Sequence, residues 1–262
     1  MDMKAKHLSA AAAGTEIFYR EQTDSTNEWA KREGDAQASH GSIFWAGSQT
    51  AGKGRRGREW FSQDNSNLYF TILLRPDLEP GKISMLTLVM AYAVSLALKN
   101  VTGLDAFIKW PNDIVINGKK VCGILSEMKL RGTAAEYCVI GVGVNVGQSV
   151  FAEEIRDMAA SLDTECGQKT DKKKLLEEIL RIFFKEYEAF LAAGSLDFLK
   201  EAYDELLINK DKQVRVLDPK GEYEGIARGI TATGELMVEL YDGNLQQVYA
   251  GEVSVRGLYG YV

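Results

Sequence analysis

The sequence predicts an α+β protein: a mixed, mainly antiparallel sheet with flanking helices, followed by a small all-β unit. Three observations carry this reading. Between residues 107 and 144, short apolar runs alternate with tight-turn dipeptides and no helical stretch intervenes, which is the pattern of antiparallel hairpins. Residues 84–99 and 171–190 carry apolar side chains at helical spacing. After the polar run Asn209-Lys210-Asp211-Lys212-Gln213, the chain breaks into five short strands cut by Pro219-Lys220-Gly221, Thr233-Gly234 and Asp242-Gly243. That spacing suggests a small closed barrel of the SH3-like kind. There is no repeated βαβ rhythm and no G-x-x-x-x-G-K-[ST] pattern, so Rossmann and P-loop domains are set aside.

Residues 1–15 read as a flexible leader, 16–210 as the main domain and 211–262 as the barrel. Ordered structure is expected to start near Ile17. Asp24-Ser25-Thr26-Asn27-Glu28 opens a helix, with Ser25 and Glu28 at the spacing of a capping box. Residues 43–49 form a strand that runs directly into a glycine-rich loop. Residues 68–74 are apolar on both faces, which puts that strand near the centre of the sheet. The helix at 84–99 carries Ala91, Ala93 and Ala97, small enough for close packing. A short strand, Phe107-Ile108-Lys109, ends at Trp110-Pro111. Residues 113–116 and 120–125 form a hairpin about Asn117-Gly118, and a turn at Arg131-Gly132-Thr133 leads into a strand at 137–144. The helix at 171–190 sets Leu175, Ile179, Phe183 and Phe190 on one side, and another helix follows at about 195–208.

Composition narrows the function. A 262-residue chain with 45% hydrophobic residues can bury a large core. The net charge is −6 and the pI about 5.2, so the chain lacks the domain-wide basic face of a general nucleic-acid binder. Cys122, Cys138 and Cys166 form no CxxC, and with only His7 and His40 they give no zinc pattern. Sparse thiols without a secretory segment point to the cytoplasm. No run of about eighteen apolar residues is present, so no membrane span is expected.

The positive charge is local. Residues 52–58 pack Gly52, Gly54 and Gly57 among Lys53, Arg55, Arg56 and Arg58, between Gln49 and Trp60. Glycine lets the backbone approach anionic oxygens, and arginine supplies forked donors matched to them. Read alone, this could equally be a solvated basic turn. About fifty residues later comes Lys109-Trp110-Pro111-Asn112-Asp113, in which Pro111 restrains Trp110 to extended geometry. Lys120 follows the hairpin turn, with Lys119 beside it on the opposite face.

Together these motifs resemble the signature of the biotin protein ligases, over roughly residues 20–150 and more weakly through the barrel. The resemblance implies the family's class II aminoacyl-tRNA synthetase-like catalytic domain. It also implies two steps: biotin and ATP give biotinyl-5′-AMP and pyrophosphate, and an acceptor lysine then displaces AMP. By that resemblance Ser25, Thr26, Asn27 and Gln49 suit the ureido ring of biotin, with Ser25 also read as a helix cap. Lys53, Gly54, Arg55 and Lys120 surround its carboxylate, although Lys53 stands where many members carry Arg. Lys53, Arg55, Arg58, Lys109 and Asn112 approach the phosphates and ribose, Trp60 the adenine, and Asn145 its amino group. Lys120, Arg55 and Asp113 form the catalytic set. No protein metal cluster is read; Mg2+ is expected through the phosphates, with Asp113 as a candidate to orient it. Gly141 and Gly143 leave one strand face bare.

The implied partner is the biotin carboxyl carrier protein or domain of a biotin-dependent carboxylase. A lipoate–protein ligase is the alternative enzyme, disfavoured because a dithiolane needs no such polar cluster. A DNA-binding biotin-responsive regulator is the alternative from another class. Fewer than twenty residues precede the resemblance, too few for a helix-turn-helix, so no specific DNA binding is expected. If the strand after Tyr137 lies at a sheet edge, it could pair with a second copy, leaving a homodimer open.

Overall fold

The structure is a computed structural model that describes residues 3–4, 15–62, 65–250, 254–257 and 261–262. Its main sheet has the strand order β1-β2-β3-β4-β8-β7-β6-β5. These are β1 (Met3–Lys4), β2 (Ile17–Thr23), β3 (Ser42–Gln49), β4 (Leu68–Leu74), β5 (Phe107–Lys109), β6 (Asp113–Ile116), β7 (Lys119–Arg131) and β8 (Ala134–Val144). Neighbours are antiparallel except β2 and β3, which run parallel because helix α1 (Thr26–Asp35) carries the chain back between them. The mixed, mainly antiparallel sheet is the one the hairpin pattern predicts.

β4 is buried along its whole length, as its two-faced apolar sequence requires. Alternate residues point to opposite sides. Phe70, Ile72 and Leu74 enter the large core, while Leu73 joins Phe44, Tyr137, Val139 and Trp29 beneath α1. On the large-core side the sheet is covered by α3 (Met85–Thr102), with α5 (Lys172–Ala193) packed on it. Helix α2 (Pro80–Ile83) leads into α3, and this stretch is long and apolar enough to cross a membrane by length and composition. The sequence reading missed that. Most of the stretch is buried in the core, so it is the central helix of a folded domain. Two short helices, α4 (Leu162–Cys166) and α6 (Asp197–Leu206), complete this layer.

The C-terminal unit is a five-stranded antiparallel sheet of order β12-β11-β10-β9-β13. It comprises β9 (Gln213–Leu217), β10 (Tyr223–Ile230), β11 (Leu236–Glu239), β12 (Leu245–Val248) and β13 (Ser254–Gly257). The five strands are as expected, but among the described residues β12 and β13 do not pair, so the sheet is open there. Its inner side chains, Val214, Val216, Ile230, Leu236 and Val238, belong to the same apolar cluster as the main core. Polar contacts reinforce the junction. Leu196 N donates to Ala232 O at 2.8 Å, and Trp110 Nε1 to Gly234 O at 3.0 Å. The buried Asp204 accepts from Ile230 N at 2.8 Å and from Lys200 Nζ at 2.8 Å.

Three expectations are corrected. Residues 1–2 and 5–14 of the expected leader lie outside the described residues, but Met3–Lys4 form a strand paired with β2. Ser25 is the N-cap residue of α1, yet its hydroxyl makes no cap bond; its N–H donates to Asp24 Oδ1 at 2.8 Å, and Glu28 turns to Lys31 and Lys53. β8 lies between β4 and β7 and is paired on both sides from Cys138 to Val144, so that stretch is not a sheet edge open to a second copy.

The shared core predicts cooperative unfolding. Asp204→Ala should strand the Ile230 N–H and Lys200 and cost about 1–3 kcal/mol. In urea denaturation, tryptophan emission and far-UV ellipticity should shift together; two separated transitions would mean the C-terminal sheet unfolds on its own.

Candidate functional site

On the α1 side of the sheet, glycines strip away a layer of side chains. Gly123 of β7 faces Gly143 of β8, and Gly141 lies opposite Thr71 of β4. A Cβ on Gly141 would sit 2.1 Å from Asn27 Oδ1, and one on Gly143 would sit 2.7 Å from Trp60 Nε1. A Cβ on Gly123 would meet the Trp60 ring at 2.7 Å. These positions require glycine because other groups rest directly on the backbone. Gly141 and Gly143 were legible as a bare face. Gly123 was missed, although a glycine inside an apolar strand was the available signal.

The group resting on Gly123 and Gly143 is Trp60, delivered by the glycine-rich loop. Lys53 pairs with Glu59, Gly54 N donates to Arg58 O at 2.7 Å, and Trp60 N donates to Gly52 O at 2.9 Å. Arg55–Gly57 makes one 3₁₀ turn, in which Arg56 and Gly57 are left-handed at φ 59° and 72°. Gln49 anchors both ends of the loop. Its Oε1 accepts from Thr26 N at 2.8 Å and Thr26 Oγ1 at 3.2 Å, and its Nε2 donates to Ser62 Oγ at 2.9 Å. Ser62, which donates to Trp60 O at 2.8 Å, was not singled out from the sequence.

Two expected ligand groups are already engaged. Lys53 Nζ lies 2.6 Å from Glu28 Oε1, which Lys31 also approaches at 2.6 Å, so Lys53 ties the loop to α1. The Asn27 amide accepts from Thr71 Oγ1 at 2.7 Å and donates to Leu125 O at 3.2 Å and Glu127 Oε2 at 2.8 Å. It shapes the floor, with its polar atoms committed within the protein.

Two adjoining cavities sit above this floor. The smaller, about 460 Å³, is lined by Ser25, Thr26, Asn27, Gln49, Lys53, Gly54 and the three glycines, with Ile124, Leu125 and Val142 as apolar wall. The larger, about 1340 Å³, takes in Arg58, Lys109, Asp113, Asn145, Arg256 and Tyr261. Arg55, Trp60, Asn112 and Lys120 line both. Every predicted site residue therefore borders one cavity or the other. Trp60 Nε1 is buried with no acceptor among the described residues.

Lys120 reaches the junction through a bulge. Ile114 pairs with Cys122 but Val115 with Lys120, so Val121 is an extra residue that re-aims its neighbour. The Lys120 backbone pairs instead with the 158–160 segment, donating to Met158 O at 2.7 Å. Its ammonium meets Asp113 Oδ1 at 2.6 Å and lies 5.2 Å from the Trp60 ring centroid. Lys119 is exposed, as expected.

Burial would raise the Asp113 carboxyl, but the charge and hydrogen bond of Lys120, then the Tyr261 hydroxyl and Lys109, hold it below the usual carboxylate value. Asn112 Nδ2 donates to Asp113 Oδ1 at 3.1 Å, and Tyr261 donates to Oδ2. Both carboxylate oxygens are thus engaged within the protein, and the cation Asp113 holds is the Lys120 ammonium. Among the described residues, no three His, Cys, Asp or Glu side chains gather as a metal site. Burial pulls Lys109 down to about 8, opposed by Asp113 and reinforced by the cations Lys120, Arg256 and Arg58. Burial also lowers Arg55, whose guanidinium donates to Asn112 Oδ1 at 2.7 Å and to the Ala250 carbonyl. Asn145 donates to Ala160 O at 3.1 Å and faces the larger cavity.

Comparison with known proteins agrees with this geometry. Residues 19–145 match the biotin/lipoate A/B protein ligase family, and residues 211–256 match the biotin protein ligase C-terminal domain. The "Bifunctional ligase/repressor BirA" of Bacillus subtilis is 34% identical over 252 residues, covering 95% of this chain and 76% of that protein. The "Biotin--[acetyl-CoA-carboxylase] ligase" of Paracoccus denitrificans is 31% identical over 241 residues, covering 90% of this chain and 99% of its own. The biotin protein ligase of Aquifex aeolicus, solved with biotin and ATP, superposes with a TM-score of 0.81 at 31% identity, covering 92% of this chain and 98% of that one.

The stacking of Trp60 on bare backbone yields a direct test. Gly143→Ala should lift the indole from the floor at about 1–3 kcal/mol, the usual range for overpacking. Acrylamide should then quench tryptophan emission more strongly than in the parent protein. The same substitution in a Trp60→Phe background should leave quenching unchanged; an effect of equal size there would place the clash elsewhere.

Proposed function

The chain belongs to the biotin/lipoate A/B protein ligase family, and from that premise we infer how its two joined cavities are used. The protein is an ATP-dependent biotin–protein ligase. Biotin occupies the smaller cavity, with its ureido ring toward Ser25, Thr26 and Gln49 and its valeryl chain along Ile124, Leu125 and Val142. ATP occupies the larger one. The observation that carries this reading is the placement of Lys120 and Arg55 at the junction, where a carboxylate from one side and an α-phosphate from the other must meet.

The chemistry follows from that placement. A biotin carboxylate oxygen attacks the α-phosphorus, the bond to the β,γ-phosphates breaks, and pyrophosphate leaves with the electron pair. Lys120 and Arg55 offset the repulsion between two anions at near-attack distance, and their contribution grows as charge builds on the phosphoryl oxygens. Trp60 and the loop that carries it cover the mixed anhydride and exclude water. The acceptor amine then attacks the acyl carbon and AMP departs, leaving an amide after loss of a proton. Mg2+ would be held through the triphosphate and would supply neutralisation of phosphate charge, while Asp113 holds Lys120. The acceptor is a lysine of a biotin carboxyl carrier domain, in keeping with the carboxylase in the Paracoccus relative's name.

A lipoate ligase would share the fold and the adenylate strategy. The polar end wall of Ser25, Thr26 and Gln49 favours a ureido ring over a dithiolane. Pyrophosphate release with MgATP and either biotin or lipoate separates the two, and mass spectrometry of a carrier domain reads the final product. Faster release with lipoate would overturn the biotin assignment.

Lys120→Ala should slow adenylate formation by about 10²–10³-fold, the typical cost of one preorganised donor. Aminolysis of chemically supplied biotinyl-adenylate should be affected far less. Adenylate formation at the parent rate would remove Lys120 from the mechanism.

Lys109 sets a pH dependence. Its folded value of about 8 lies below the ordinary lysine value of 10.5, so above pH 8 the folded protein loses this charge while the unfolded chain keeps it. Folding stability contributed by this group therefore rises with pH between those values, whereas attraction for a triphosphate falls. The KM for ATP should rise by up to about tenfold between pH 7 and pH 9. Lys109→Arg, charged throughout, should flatten the rise; an equal rise in that variant would point to another group.

A further inference from the structure

We propose that Tyr261, next to the last residue of the chain, is a positioning residue for adenylate formation: it fixes the Asp113 carboxylate so that Asp113 presents Lys120 to the junction of the two cavities. This rests on the ligase reading above. The Tyr261 hydroxyl donates to Asp113 Oδ2 across 148 residues of sequence. The other oxygen, Oδ1, receives Lys120 Nζ at 2.6 Å and Asn112 Nδ2 at 3.1 Å. A carboxylate held at only one oxygen can rotate about its last bond, and the lysine it carries would swing with it. Held at both, it is a fixed mount. Asp113, which lines the larger cavity, also lies directly opposite Gly123 on β7, which places the mount at the edge of the bare floor.

The ring of Tyr261 has a second contact. Lys109 Nζ sits 3.4 Å from its centroid, over the face where cations are attracted. One side chain therefore touches the anchor of one lysine and packs under another, with its hydroxyl and ring doing separable things. The backbone around it is placed by close contacts. A Cβ on Gly257 of β13 would lie 2.3 Å from Val262 O, and one on Gly118 would lie 3.5 Å from the Val262 side chain. The chain end is seated between β13 and the β6–β7 turn. The C-terminal unit thus contributes to the junction twice, through Tyr261 to Asp113 and through the Ala250 carbonyl to Arg55.

The phenol and the benzene ring can be tested apart. Tyr261→Phe keeps the packing and the ring under Lys109 and loses only the donor, while Tyr261→Leu loses both. Rapid-mix pyrophosphate release with biotin and MgATP, run beside thermal melts, should show Tyr261→Phe lowering kcat for adenylate formation about tenfold, the scale of one hydrogen bond to a charged group. KM for biotin and for ATP should stay at parent values, and aminolysis of supplied adenylate should be unaffected. Tyr261→Leu should add a rise in KM for ATP. In an Asp113→Asn background, Tyr261→Phe should have no further effect, because the hydroxyl acts only through that carboxylate. A parent-like kcat in Tyr261→Phe would overturn the proposal. So would a uniform rise in both KM values with a lowered melting temperature, or an undiminished effect in the Asp113→Asn background. If the parent protein released no pyrophosphate at all, the ligase reading itself would fall.

Discussion

Asp113 is largely enclosed beside Lys120, Lys109 and Arg55, with Arg58 and Arg256 lining the same cavity, and the arrangement of the larger cavity depends on it. A site built for polyanions must gather cations before the anion arrives, and cations gathered away from water repel one another. Two unit charges 4 Å apart interact by about 4 kcal/mol at an effective dielectric of about 20. Burial without a counter-charge favours the neutral form of an ammonium. Lys109, which meets Asp113 only through space, already sits at about 8. Lys120 is in direct contact with the carboxylate. Asp113 thus pairs directly with one cation and leaves the other responsive to what binds. Because its own value is depressed, its contribution to folding is present above the unfolded carboxyl value and is lost as pH falls through the folded one.

The smaller cavity depends on an absence of side chains. Gly123, Gly141 and Gly143 occupy adjacent register positions on two paired strands. Trp60 and Asn27 settle on this floor, and the remaining depth is the cavity. The floor and the mount for Lys120 meet because Asp113 is the cross-strand partner of Gly123, and because the bulge at Val121 turns Lys120 toward both. Strict two-residue alternation would have sent Lys120 and Gly123 to opposite faces. A single inserted residue brings a strand lysine to the junction of the two cavities.

That bulge also marks where sequence reading ends. Local patterns were legible: the fully apolar β4, the Asn117-Gly118 turn, the helical stripe of α5, and the two motifs whose candidate site residues all border the cavities. What failed depended on partners distant in sequence. The capping box at Ser25 and Glu28 has the right spacing, but Lys31 and Lys53 outbid the backbone for the Glu28 carboxylate. The Asp113 carboxylate gains Tyr261 from the far end of the chain, a contact that no local pattern announces. The strand after Tyr137 carries no signal of which neighbours will flank it, and it proved to be internal. Ser62 and Gly123 belong to no motif, and only the register of the sheet and the path of the loop give them meaning.

The loop over the cavities is held by contacts of unequal worth, and their magnitudes decide which of them retains a reactive intermediate. The Lys53–Glu28 pair is half exposed on the lysine side and shares its carboxylate with Lys31. Exposed pairs of this kind contribute about 0–1 kcal/mol and weaken with salt. Arginine at position 53 would offer a bidentate fork; lysine does not. Trp60, by contrast, is packed on two backbone glycines, and its carbonyl is fixed through Ser62 to the buried Gln49 and thence to Thr26. Arg55 is clasped between Asn112 and the Ala250 carbonyl of the C-terminal unit. Opening the loop at its Lys53 end is therefore cheap, whereas opening it at Trp60 and Arg55 disturbs the sheet floor and the contact with the C-terminal unit together. The loop should hinge from the Lys53 side, with Arg55 and Trp60 releasing last, and the C-terminal unit is thereby part of the lid as well as part of the core.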